Sequence, residues 1–151
     1  MRYRLEEGRF GGRPPDLVHE ASGFRIWNVD PVGILTQVGD LDIPDVAVAE
    51  FLSREGQALV DARLPDGQKA SYFHDWTRLR GYSPAARRVM TEWALRVRPR
   101  TERIVIALAP QAKVVKMGVS VATMTLQLAG LGLDVGDEIQ PYLDEHGVRP
   151  A

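Results

Sequence analysis

Hydrophobic and polar residues follow two spacings along this chain, one typical of strands and one typical of helices. FRIWNVD (24–30) and GILTQV (33–38) suit strands, and the turn-like residues 30–33 between them predict a hairpin. ALVDARL (58–64) is short and mostly apolar, which favours a buried strand. RIVIALA (103–109) is the clearest strand, a continuous apolar run of the kind found in the centre of a covered sheet.

Two helices are indicated by helical spacing together with terminal residues. The segment 42–56 predicts a first helix that ends at Gly56. A second helix begins with Ser83 as its N-cap and Pro84 at its first position, and it ends at 98–100. The apolar face of this second helix comprises Ala86, Val89, Met90, Trp93 and Val97.

The remaining segments complete an alternation of strands and helices. ASYFHDW (70–76) is either extended or a structured loop that leads into the second helix. A third helix is expected from about residue 113 to 128, LDV (133–135) as a short final strand, and a last helix within 137–147. This order predicts a mixed α/β sheet with helices packed on it.

The length and the N-terminal composition predict one domain preceded by an arm. A chain of 151 residues suits a single domain that buries a sizeable core. GRFGGRPPD (8–16) cannot continue a helix or a central strand, so residues 1–20 are expected to be a flexible arm and 21–151 the domain. The first residues hold no apolar segment that reads as a secretory signal, which makes a cytoplasmic location the default expectation.

Composition narrows the classes of chemistry. The chain has no cysteine, its three histidines are scattered, and we expect neither a metal site nor a cofactor. The formal net charge of −1 argues against a generally basic nucleic-acid binder. The run from Met117 to Leu133 carries no charge but contains polar residues and glycines, so a buried helix is favoured over membrane insertion.

The stretch FHDWTRLRGYS (73–83) resembles an active site in composition. Ser71, His74 and Asp75 are close enough in sequence to suggest a nucleophile, a base and an orienting acid. If this stretch is extended, however, its side chains alternate and the adjacent His74 and Asp75 diverge. Neither a nucleophile-turn motif nor a phosphate-binding glycine motif is present, so we expect no enzymatic activity.

The most informative charge pattern is a basic stretch from Arg78 to Arg103, which holds eight arginines against Glu92 and Glu102. The planar guanidinium pairs with carboxylates and phosphates and stacks on aromatic rings. A partner with acidic groups would therefore fit this stretch. The alternative is that these arginines pair with the chain's own acidic segments or stay solvated.

The string HDWTRLRGYSPAARRVMTEWA (74–94), preceded by ALVDARL and followed by RIVIALA, resembles the centre of a STAS domain of the anti-sigma-factor-antagonist type. The resemblance spans about residues 24–147 and is closest to divergent bacterial members. It implies a mixed sheet of four to five strands with helices packed on it. Family members often carry Asp-Ser-Ser-Gly at the helix cap, where a partner kinase phosphorylates a serine. Here the matching residues are Gly81-Tyr82-Ser83-Pro84.

The resemblance implies a non-enzymatic regulatory module that binds another protein, such as an anti-sigma factor or a kinase. Ser83 is the first candidate for phosphorylation and Thr77 the second; for Ser83, capping alone is the competing explanation. A second copy of the chain is a further possible partner, whereas a membrane or nucleic acid is not expected. The expected partner-binding residues are Trp76, Arg78, Arg80, Tyr82, Arg87 and Arg88.

An alternative hypothesis is a small-molecule or lipid-binding domain with an aromatic-lined pocket. Such pockets are mostly apolar and carry few polar groups. The residues expected to line it are Tyr72, His74, Trp76, Trp93 and Met117.

Overall fold

Short strands and helices alternate along most of the chain. The computed structural model describes residues 3–39, 46–81, 83–111, 113, 117 and 130–151. Its strands are β1 (Leu5–Glu6), β2 (Arg9–Phe10), β3 (Leu17–His19), β4 (Phe24–Asp30), β5 (Gly33–Gln37), β6 (Ala70–Trp76), β7 (Thr101–Leu108), β8 (Leu133–Gly136) and β9 (Arg149–Pro150). Its helices are α1 (Val46–Phe51), α2 (Gln57–Arg63), α3 (Pro84–Val97) and α4 (Gln140–Glu145), with a π-helical segment at Leu52–Gly56 and a 3-10 turn at Arg98–Arg100.

Seven of the described strands form one mixed sheet, in the spatial order β3, β4, β5, β6, β7, β8, with β9 also paired to β4. The predicted β4–β5 hairpin is confirmed, and each neighbour from β5 to β8 runs parallel to the next. The mixed α/β class is therefore confirmed. The expected four to five strands are too few, because two- and three-residue edge strands have no periodicity that reveals them.

Parallel pairing brings the ends of β5 and β6 to the same side of the sheet, with Gln37 opposite Asp75. We call the edge where β5 to β8 end the carboxyl edge. In open sheets with parallel strands, this is the edge at which ligands usually bind. ASYFHDW forms β6, a strand paired on both sides, so its loop alternative is wrong.

Residues 57–63 are helical, so the predicted strand at 58–64 is wrong and Gly56 does not end the first helix. Gly56 lies within the helical region (φ −64°) and is buried against the sheet. A Cβ at this position would lie 3.0 Å from Leu52 Cδ1 and 3.2 Å from Ile26 Cδ1. The glycine therefore permits close packing of the helix on the sheet instead of terminating it.

One hydrophobic core lies between the sheet and α1, α2 and α3. It includes Ile26, Ile34 and Tyr72 from the strands and Leu52 and Trp93 from the helical layer. The crossovers between consecutive parallel strands are right-handed as a rule, which places these helices on the same face of the sheet. We call this side the helical face.

A second core covers the opposite face and uses residues that the sequence assigned to the arm. Phe10 is fully buried there beside Trp27 and Val29, together with Leu143 of α4. β3 pairs with β4, and the indole of Trp27 donates a hydrogen bond to the carbonyl of Arg13 at 3.1 Å. This packing differs from the flexible arm predicted for residues 1–20.

The predicted third helix and the uncharged run from Met117 to Leu133 lie largely outside the described residues. The predicted strand LDV is confirmed as β8, and the last helix is confirmed as α4, with Pro141 in its first turn. Among the helices that the structure describes, none has the length and apolarity needed to cross a bilayer.

Candidate interaction surface

β6 carries the first part of the stretch 73–83 to the carboxyl edge, and its side chains alternate as the extended prediction requires. His74 points into the core of the helical face, where it contacts Thr36, whereas Asp75 points to the other face and contacts Gln37 and Thr77. A base and an acid on opposite faces of a sheet cannot act on one another. The stretch therefore does not form a Ser-His-Asp triad.

His74 is buried within a polar pair that spans two strands. Its Nδ1 lies 2.7 Å from Oγ1 of Thr36, and the same oxygen accepts a hydrogen bond from the indole of Trp76 at 3.2 Å. The ring lies 4.7 Å from the Trp76 ring and 6.2 Å from the Trp93 ring, centroid to centroid. Loss of hydration on burial lowers the pKa of His74 from 6.5 to about 3, so the ring is neutral at pH 7.

Gln57 satisfies two aromatic donors in the same layer. Its Oε1 accepts from the hydroxyl of Tyr72 at 3.0 Å and from the indole of Trp93 at 2.9 Å. Its amide nitrogen donates to Asp61 at 2.9 Å. Burial raises the pKa of Tyr72 from 10.0 to about 12, which keeps its hydroxyl a donor. Sequence reasoning did not single out Gln57, because it lies in a segment predicted to follow the helix.

Four of the five residues expected to line a pocket are brought together on the helical face: Tyr72, His74, Trp76 and Trp93. They pack against one another, and their polar atoms bond to Thr36 and Gln57. Met117 differs from these four, with 66% of its surface exposed. These four side chains thus pack together and form internal hydrogen bonds, and the ligand-binding alternative stays a prediction.

On the other face of the sheet, Gln37 organises a polar row at the carboxyl edge. It is 7% exposed, its Oε1 accepts from Arg25 and from the backbone of Gly8, and its amide donates to Asp75 and to the carbonyl of Glu6. Each of the four contacts measures 2.9 to 3.3 Å. A buried amide with both ends satisfied fixes the parts that it joins.

Thr77, the second phosphorylation candidate, is half-buried at the end of this row. Its hydroxyl donates to Oδ1 of Asp75 at 2.8 Å, and its backbone N–H faces the same oxygen at 3.4 Å. A phosphate on Thr77 would therefore stand beside a carboxylate that now accepts its hydroxyl proton. Like-charge repulsion disfavours this modification in the folded chain.

Ser83, the first phosphorylation candidate, is the N-cap of α3, as predicted. Its backbone is extended (φ −71°, ψ 153°), and its hydroxyl oxygen accepts from the N–H of Ala86 at 3.0 Å. Ser83 is half-buried as a residue and belongs to neither hydrophobic core. Pro84 follows at the first helical position, where its missing N–H has no helical partner to lose.

We call Arg78, Arg80, Arg87 and Arg88 the arginine rim. All four are exposed, and they lie on both sides of the Ser83 cap in sequence. Arg78 forms an ion pair with Glu7, with 2.6 Å between Nη1 and Oε1. Trp76 and Tyr82 are the apolar residues predicted to bind the partner beside the rim. Trp76 is half-buried and donates a hydrogen bond to Thr36, whereas Tyr82 lies outside the described residues.

Three later arginines of the basic stretch make contacts within the folded chain. Arg96 and Arg100 donate to backbone carbonyls of the helical layer and of the loop after α2. Arg103 lies with Nη1 3.1 Å from Nε2 of His146. Because a guanidinium only donates, that ring nitrogen is the acceptor in this contact. The basic stretch thus divides into structural arginines and the arginine rim.

Comparison of the chain with protein-family models, with curated proteins and with solved structures finds no match. The resemblance to STAS domains therefore stays a prediction.

Proposed function

We propose that this protein is a non-enzymatic regulatory module that binds an acidic surface of another protein through the arginine rim. The observation that carries the proposal is that Arg87 and Arg88 are exposed in the first turns of a serine-capped helix of 14 residues. Arg78 and Arg80 extend the same charge toward the carboxyl edge. Guanidinium groups recognise carboxylates through paired hydrogen bonds.

The STAS resemblance suggests what kind of partner this is. An anti-sigma factor or a kinase would be bound at the loop between β6 and α3, with Trp76 as an apolar contact beside the rim; Tyr82, the other expected apolar contact, lies outside the described residues. Half-burial of Trp76 leaves part of its ring available for such a contact. Aromatic and arginine side chains together are the residue types most enriched at protein interfaces.

Phosphorylation of Ser83 would switch off binding of the partner by the arginine rim. A phosphate there adds about −1.5 to −2 charges at pH 7. It would stand at the N-terminus of α3, where backbone N–H groups favour negative charge, four and five residues before Arg87 and Arg88. Both effects support a phosphate that folds back onto the rim and withdraws it from the partner. Thr77 lacks this support because it faces Asp75.

Binding by the arginine rim is tested with an acidic probe. A fluorescein-labelled hexaglutamate peptide is titrated with the protein at low salt, with anisotropy as the readout. We expect Arg87→Gln with Arg88→Gln to weaken binding about fivefold, since each exposed charge contributes about 0.5 kcal/mol. The matched control removes two exposed arginines elsewhere, with Arg54→Gln and Arg149→Gln. Equal effects of the two double variants would reject the rim as the binding surface.

The switch is tested with variants that retain the cap. Asparagine and aspartate cap helices about as well as serine, so Ser83→Asn removes the phosphorylatable hydroxyl and Ser83→Asp also adds a charge. After incubation with native cell extract and ATP, mass spectrometry should find phosphate on Ser83 in the wild type. Ser83→Asp should bind the probe more weakly than Ser83→Asn. An unphosphorylated Ser83 and equal affinities would reject the switch while leaving the binding module intact.

A further inference from the structure

The turn between β1 and β2 is docked on the carboxyl edge beside the arginine rim. The N–H of Gly8 donates to Gln37 Oε1 at 2.9 Å, and the carbonyl of Glu6 accepts from Gln37 Nε2 at 3.3 Å. Two backbone groups of the turn are thus held by one buried side chain that is anchored in β5. The contact joins residues about thirty positions apart, so it is a tertiary contact and not a feature of the hairpin alone.

The same turn directs a carboxylate at the rim. Glu7, between the two anchored residues, forms the 2.6 Å ion pair with Arg78. The two side chains are 65% and 49% exposed, and exposed ion pairs contribute little to stability. A contact of this kind has little structural value by itself, but it occupies an arginine that the proposed function assigns to an acidic partner.

We propose that the turn Glu6–Gly8 occupies in cis the part of the rim where an acidic turn of the partner binds. The partner feature that it imitates is a glutamate next to a residue whose backbone N–H reaches Gln37. Release of this turn from Gln37, with Phe10 still held in the second core, then makes Gln37 and Arg25 accessible beside Arg78. This inference rests on the proposed function, because it takes the rim as the binding surface.

The competition predicts how two substitutions in the turn change probe binding. Glu7→Gln removes the carboxylate from Arg78, and we expect it to tighten hexaglutamate binding about two- to fivefold. Glu6→Gln is the matched control, since it makes the same change in net charge at the adjacent exposed residue. In an Arg78→Gln background, Glu7→Gln should lose its advantage over Glu6→Gln.

A second variant perturbs the turn without changing charge. Gly8 has φ +76°, a conformation that alanine adopts only with strain, so Gly8→Ala should destabilise the docked turn. We expect probe binding to tighten by up to about fivefold as the undocked population rises. Gly67→Ala is the control, because Gly67 has φ +78°, open space around it and a position in the distant loop before β6.

The outcomes separate this inference from the proposed function. If Glu7→Gln and Gly8→Ala bind the probe no better than their controls, the cis competition is wrong. The proposed function survives that result provided that the Arg87 and Arg88 variants still weaken binding. If no variant binds hexaglutamate, both the competition and the rim as an acidic-partner site are rejected.

Discussion

Burial of His74 should make the stability of this protein depend on pH in a way that a surface histidine would not. His74 is 2% exposed, is bonded to Thr36 and contacts the indole rings of Trp76 and Trp93. Its pKa is about 3 in the folded chain and 6.5 when exposed. The folded state therefore excludes a proton that the unfolded state accepts below pH 6.5.

The sign and size of the effect follow from proton linkage. A base whose pKa is depressed by folding leaves stability intact above pH 6.5 and reduces it progressively as the pH falls toward 3. The slope is about 1.4 kcal/mol per pH unit within that window. Between pH 7 and pH 5, His74 alone should therefore reduce the free energy of unfolding by about 2 kcal/mol.

The assay is urea denaturation at pH 7 and pH 5, followed by tryptophan fluorescence, for the wild type and for His74→Gln. Glutamine retains a hydrogen-bonding group for Thr36 but does not titrate. The variant is expected to be less stable at both pH values because its shape differs from that of the ring. The informative quantity is the difference between the wild type and the variant in the loss from pH 7 to pH 5, because contributions of the other titrating groups cancel in that difference.

Equal losses for the wild type and the variant would refute this reasoning, since they would show that His74 binds a proton equally in both states. NMR of the wild type provides a measurement that does not depend on the variant folding. The imidazole resonances of His74 should stay those of a neutral ring at pH 5, whereas an exposed histidine is protonated there. A protonated His74 in the folded chain at pH 5 would contradict the burial argument.

Two further substitutions test the packing on each side of β6. Gln57→Leu should destabilise the protein by about 2 to 4 kcal/mol in urea denaturation, because it leaves two buried aromatic donors without an acceptor, and the exposed Gln68→Leu should change stability little. Gly33→Ala should lower the free energy of unfolding by about 3 kcal/mol or more, because its Cβ would lie 1.9 Å from the carbonyl oxygen of Ser71 in the paired strand. Gly132→Ala has open space around its Cβ and should be tolerated. Circular dichroism measures the folded fraction of both variants. A tolerated Gly33→Ala would contradict the parallel register of β5 and β6.

Elements whose signals are local were predicted well from the sequence. The β4–β5 hairpin, the apolar strand β7 and the Ser83-capped helix α3 each depend on residues within one segment. The N-cap in particular is a contact across three residues, so the serine and the following proline suffice to predict it. The alternation of side chains along a strand is also a local property, and it predicted that His74 and Asp75 point to opposite faces if the segment is extended.

The features of the fold and the candidate site that local patterns did not predict depend on contacts between distant segments. Gly56 reads as a helix end, yet its missing side chain lets the helix pack against Ile26, a contact with another element that no local pattern contains. Phe10 lies in a glycine-rich segment and is nevertheless buried beside Trp27, because the second face of the sheet needs cover. The pairing of Glu7 with Arg78 spans 71 residues and follows only from where the turn docks. Local spacing sets which elements form, while burial across the sheet sets which of their side chains meet.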